Sequence, residues 1–191
     1  MSRLAPTVGR IPSTNRSLLS STSDYPDFFT NFYALCTPEI LHVKYRARFL
    51  YWADVFLSST NLPAYVVASF VKRFSRQALL ASVETLYSLI PLIVNCLIRH
   101  PNLIDLFNRP TGSQYGKDPF DFEQTDLQKT RALESSLWEL IALQTHWDSK
   151  VREAARLINR PLPKDELDLS DLLEIDFPGL AEQAFSADND A

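Results

Sequence analysis

The sequence predicts an all-α protein, built of antiparallel helix pairs in a HEAT-like α-solenoid arrangement. Three observations carry that prediction. Apolar residues recur at the three- and four-residue spacing of helices from Tyr25 to Ile158, and no segment alternates as a strand does. Helix-start residues and prolines punctuate that pattern at short intervals. The 191 residues include only four glycines, too few for the tight turns of a sandwich or barrel.

"YPDFFTNFYALC" opens the helical part and gives Phe28, Phe29, Phe32 and Leu35 one face. Thr37-Pro38 reads as an N-cap followed by proline in the first turn, and the helix it opens runs to about Leu57, where "SSTNLP" breaks it. A third helix runs from near Pro63 to about Leu80. A fourth, "SVETLYSLIPLIVNCLIRHP", is capped by Ser82, kinked at Pro91 and ended before Pro101. Residues 108–126 form the main loop. Thr125 and Gln128 have the spacing of a capping box, with Leu133, Leu137, Leu140 and Ile141 as the face of the helix that follows. Asp148 caps a last helix striped by Val151, Ala154, Ala155 and Ile158 and closed by Pro161.

The chain thus divides into a disordered lead-in (1–23), a helical domain (24–164) and an acidic tail (165–191) with one short helix around "SDLLEI". Charge follows that division. Residues 1–101 carry ten Lys/Arg against five Asp/Glu, residues 102–164 nine of each, and residues 165–191 nine acids and no base. A basic front and an acidic, Leu/Ile/Phe-rich tail point to charge-guided assembly, the tail folding onto a partner's basic groove or back onto this protein. The lead-in has three arginines and no apolar core of a secretory signal. It overlaps a mitochondrial transit peptide in composition, but Pro6 and Pro12 spoil the amphipathic helix such a peptide needs.

"HVKYRARF", residues 42–49, interleaves cations with aromatics, as nucleic-acid surfaces do. On a helical wheel Leu41, Tyr45, Phe49, Trp52 and Phe56 form one narrow stripe, predicted as core. Lys44 and Arg48 fall together on the opposite side. Arg46 lands on a second apolar flank with Leu50, Ala53 and Leu57, where it needs a carboxylate or carbonyl. In the next helix Val67, Phe70, Val71, Phe74 and Ala78 make the buried stripe, and Lys72, Arg73 and Arg76 cluster opposite with Ser69. That cluster could neutralise phosphates, receive an acidic protein segment, or be a plain solvated face.

No catalytic constellation is legible. His42, His100 and His146 stand apart, without partners at metal-ligand spacing; His42 reads as a hydrogen-bonded packing residue. Cys36 and Cys96 read as small buried hydrophobes. Gly9, Gly112, Gly116 and Gly179 match no phosphate-loop pattern. Asp118 and Asp121 flank Pro119 and Phe120 in a loop best read as an acidic-aromatic strip laid against a helix. Trp138 and Trp147 read as packing anchors. No cofactor, metal, small-molecule substrate or membrane is expected; "LIPLIVNCLI" is strongly apolar but short of the ~20 residues a bilayer requires. A mitochondrial or membrane-associated helical protein stays the class-distinct alternative.

Several stretches then accumulate in order: "SDYPDFFTNFYALCTPEILHVKYRARFLYWADVFLSSTNLPAYVVASFVKRF", "LIPLIVNCLIRHPN", "DPFDFEQ" and "ALESSLWELIALQTHW". Together they resemble the C-terminal part of the CCAAT-binding factor (CBF) domain, in the branch called nucleolar complex protein four, over about residues 24–160. The resemblance implies a non-enzymatic helical scaffold of the nucleus and nucleolus, acting in early small-subunit assembly and pre-rRNA processing. It implies nucleolar protein fourteen and other small-subunit assembly factors as partners, with direct contact to pre-rRNA as the alternative.

Overall fold

The computed structural model describes residues 26–108 and 118–169. The lead-in expected at 1–23 and the short helix expected around "SDLLEI" lie outside them, as does 109–117 of the main loop. Seven α-helices follow in order: α1 Pro26–Leu35, α2 Arg46–Phe56, α3 Ala64–Ala78, α4 Val83–Arg99, α5 Asp105–Asn108, α6 Trp138–Leu143 and α7 Ser149–Arg156. Three short 3-10 turns lie between them and a fourth follows α7, and no strand occurs among the described residues.

The core is arranged around α3 and α4. They are joined by residues 79–82 only and pack side by side. On the far side α4 meets α2 and α7, and α3 is covered by α6 and the turn Ala132–Glu134. Because α3 is enclosed on several sides, twelve of its fifteen residues are buried. Phe70 sits inside an aromatic cluster, with ring centroids 5.5 Å from Phe32, 5.2 Å from Tyr33 and 6.2 Å from Phe74. The fourth helix runs without interruption through Pro91. Cys36 and Cys96 are both free and buried, and burial pushes each thiol up to about 12.

The helix predicted from Thr37 to Leu57 is divided. A 3-10 turn, Pro38–Leu41, ends where Leu41 plunges into the core and its carbonyl accepts from Thr85 Oγ1 at 3.4 Å. The chain turns again before α2 begins at Arg46. That break changes which side of α2 is buried. Leu50, Ala53 and Leu57 are fully enclosed, whereas Tyr45 and Trp52, predicted as core, are exposed. His42, predicted as a packing residue, is exposed too.

The helix predicted after Thr125 is also corrected. Asp126 Oδ1 accepts from the Gln128 amide at 3.1 Å, a local side-chain turn in place of a capping box. At Arg131 the backbone enters the left-handed region, φ 55°, which no α-helix can run through. A 3-10 turn and the short α6 replace it, leaving Leu133 and Ile141 exposed. The predicted cap of α7 does form: Asp148 Oδ1 accepts from the Val151 amide at 2.9 Å.

Beyond α7 the chain returns across α4. Asn95, buried in that apolar helix, holds Leu167 by both backbone groups: its Nδ2 donates to the Leu167 carbonyl at 2.9 Å, and its Oδ1 accepts from the Leu167 amide at 2.8 Å. Arg99 completes the attachment, pairing with Asp54 of α2 at 2.7 Å and with Glu166 at 2.7 Å. Leu169 is buried where the described chain ends. Asn95→Leu removes both clamp bonds and is expected to cost about 1–3 kcal/mol. Limited trypsin digestion should then cut after Lys164 faster than in the parent protein. An unchanged cutting rate would mean the clamp does not hold this segment.

Candidate interaction surface and the buried ion cluster

The cations predicted on an outer face of α3 point inward. Lys72 is fully buried, Arg73 nearly so, and Arg76 is half-buried. Reading them as a surface for RNA or an acidic partner is therefore corrected. The wheel of α3 alone separates an apolar side from a charged one, but the returning segment 118–139 covers the charged side as well.

That segment supplies the counter-charges. Lys72 Nζ donates to Glu139 Oε1 and Oε2 at 2.6 and 2.8 Å and to the Ser136 carbonyl at 2.6 Å. It also lies 2.9 Å from Asp118 Oδ2. Arg76 bridges the same two acids, its Nη2 to Asp118 at 2.8 Å and its Nε 2.8 Å from Glu139 Oε1, with its guanidinium over the Trp138 ring. Two cations and two carboxylates thus balance in one enclosed group. Glu139 is the member sequence reasoning missed, because 67 residues separate it from Lys72 and no local spacing announces the pair.

Arg73 does a different job. Its Nε donates to the Cys36 carbonyl at 2.6 Å, just beyond the last turn of α1, and Gln77 Nε2 donates to the same oxygen at 2.6 Å. Its guanidinium lies between the rings of Tyr33 and Phe122, 4.5 and 4.8 Å from their centroids. The strip Asp118, Pro119, Phe120, Asp121 lies along α3 itself. Phe120 is buried, the Asp121 amide donates to the Thr130 carbonyl at 3.0 Å, and the Asp121 side chain faces out.

Asp118 gathers most of the strip's bonds. Burial by itself would raise its carboxyl. Donation from Ser135 Oγ at 2.5 Å, from Lys72, from Trp138 Nε1 at 2.8 Å and from the Phe120 amide outweighs burial and holds it well below the usual carboxylate range. A carboxyl depressed in the folded state contributes stability above its unfolded pKa of about 4, and that stability is lost as pH falls through the folded value. Glu139 has the opposite sign: burial raises its carboxyl, with Lys72 and Arg76 pulling it back, so its penalty lifts on acidification. Asp118→Asn is expected to cost about 1–3 kcal/mol at pH 7 and to flatten the loss of stability below about pH 4. Urea midpoints measured from pH 7 to pH 2.5 test this; parallel curves for both proteins would contradict the role of Asp118.

Outside the cluster, Arg46 meets Glu84 of α4 at 3.0 Å, half-buried. Lys44 and Arg48 are exposed and lie near Tyr45, Tyr51 and Trp52, which are 69%, 39% and 46% exposed. Trp138 anchors packing as predicted, whereas Trp147 is 77% exposed. His100 is buried with Nε2 3.0 Å from the Leu57 carbonyl, and His146 Nδ1 accepts from the Asp148 amide at 3.1 Å. Among the described residues no group of three or more His, Cys, Asp or Glu could hold a metal ion, and no helix is long and apolar enough to cross a membrane.

Taken together, these contacts define a helical packing module: its buried charges bind helix to loop, and exposed aromatics, Tyr45, Tyr51 and Trp52, lie at the start of and along α2. The chain belongs to the CBF/Mak21 family, whose model matches residues 13–155. It is 51% identical over 153 residues to the "Nucleolar complex protein 4 homolog" of Gallus gallus, covering 80% of this chain and 30% of the relative. It is 50% identical over 152 residues to "Nucleolar complex protein 4 homolog A" of Xenopus laevis, covering 80% and 29%. The Homo sapiens homolog is 49% identical over 152 residues, with 80% and 30% covered. The chain thus spans about a third of the length of these relatives.

Proposed function

We propose that this chain is a non-enzymatic docking scaffold in ribosome biogenesis, acting in the nucleolus during small-subunit assembly and processing of its precursor RNA. Membership of the CBF/Mak21 family and relatives whose printed name is nucleolar complex protein 4 support the nucleolar setting. The observation that carries docking over RNA binding is the burial of Lys72 and Arg73, which removes the strongest basic face from solvent. Among the charged and polar groups that remain outside, large apolar side chains such as Leu80, Trp147 and Tyr45 are exposed, and these suit protein contacts. Nucleolar protein fourteen and other small-subunit assembly factors are the proposed partners.

Lys44 and Arg48 keep a second reading open, direct contact with the RNA backbone. Two cations release few counterions, so that contact alone would be weak. Affinity purification of the tagged chain from nuclear extract, with and without RNase, separates the readings. Recovery of nucleolar protein fourteen after RNase is the expected result. Loss of it after RNase moves the weight to Lys44 and Arg48, and failure to recover it in either condition overturns the proposal.

A further inference from the structure

Tyr45, Phe49, Trp52 and Phe56 follow one another at spacings of four, three and four residues, the first at the start of α2 and the others along it. That is the rhythm of a seam between two helices. Among the described residues only the inner half of the seam is used. Phe49 and Phe56 lie against Phe32 of α1, with ring centroids 5.3 and 5.2 Å away. Trp52 stacks one face on Phe56 at 5.5 Å, and both it and Tyr45 remain open on the outer side.

The flank of the seam is cationic: Arg48, expected on the side of the helix opposite the aromatic stripe, lies four residues before Trp52 and therefore beside that stripe. Arg48 occupies the position where the edge charges of a coiled coil sit, one turn before Trp52, with Lys44 a turn earlier. Neither has an acidic partner among the described residues. The one acid of α2, Asp54, lies on the other side of the helix and is held by Arg99. A helix-spaced aromatic row with a cationic edge fits an apolar helix edged with carboxylates. RNA has no use for the helical spacing and would find only two cations. The relatives have the length to supply such a helix, since about two-thirds of each lies outside the match.

We propose that the Tyr45–Trp52 edge of α2 is a docking seam for an amphipathic helix with carboxylates along its border, supplied in the longer relatives by the part of their chain outside the match. This goes beyond the scaffold reading, which assigns no face of the chain to a particular occupant.

The test titrates this chain calorimetrically with the purified part of the Gallus gallus relative that lies outside its matched 153 residues. A one-to-one complex is expected, weakened about 30-fold by Trp52→Ala and about tenfold by Arg48→Glu. Arg48 is exposed, so Arg48→Glu should melt like the parent, whereas Trp52→Ala loses its stack on Phe56 and should melt somewhat lower but as cooperatively, showing that the fold is intact. No complex, or one indifferent to both substitutions, overturns the proposal. A dimer of this chain seen in sedimentation and lost in Trp52→Ala would overturn it in favour of a second copy. Binding of a single-stranded oligouridine, lost in the same variant while the protein segment fails to bind, would overturn it in favour of RNA. The nuclear purification reads a different partner, so either proposal can fail alone.

Discussion

Replacing Glu139 by alanine is expected to destabilise the protein by about 3–5 kcal/mol, the cost of leaving a buried cation without its counter-charge. Lys72 Nζ has no exposure, and two of its four polar contacts are to this one carboxylate. With Glu139 gone, Asp118 must serve both Lys72 and Arg76. Lys72→Ala should cost a similar amount from the other side, leaving the enclosed carboxylate with Arg76 alone. The double variant Lys72→Met, Glu139→Leu discriminates this from a simple loss of packing. It removes both charges and fills the space, and should recover most of the loss. Urea unfolding midpoints of the three variants measure the effect. A loss below about 1 kcal/mol for Glu139→Ala, the scale of an exposed pair, would show that the group is not enclosed in solution.

Phe70→Ala is expected to cost about 3–5 kcal/mol by removing a fully buried ring and leaving a cavity. Phe70 joins α3 to α1 through Phe29, Phe32 and Tyr33, so the cavity opens between two helices. Phe70→Leu keeps most of the volume and should cost markedly less. The ratio between these two losses, read by thermal or urea unfolding, tests whether packing density at this junction holds α1 in place. Equal losses for both variants would contradict that.

The order in which features were legible follows from the range of the interactions behind them. Helix positions for α1, α3, α4 and α7, and the Asp148 cap, depend on residues within a turn or two of one another, and the sequence displays them. The stripe Val67, Phe70, Val71, Phe74, Ala78 reads as buried and is. The carboxylate that meets Arg46 required only that a half-buried charge be matched, and Glu84 of α4 does so. Two errors share one cause. The wheel of α2 took the aromatic flank as core ahead of the Leu50, Ala53 and Leu57 flank, because which flank is buried depends on where α4 and α1 approach and nothing local shows it. The wheel of α3 took a charged side for an outer one, because nothing local says that segment 118–139 returns to cover it.

What the sequence by itself determined is therefore the helical class, most helix ends and the family, all of which rest on local spacing and ordered motifs. Only the tertiary structure decided which faces meet water. It turned Lys72, Arg73 and Arg76 inward onto Glu139, Asp118 and the Cys36 carbonyl, and it left Tyr45 and Trp52 outside. The physical reason is that a buried charge is tolerable only with its partner in place, and those partners arrive from some forty to seventy residues away.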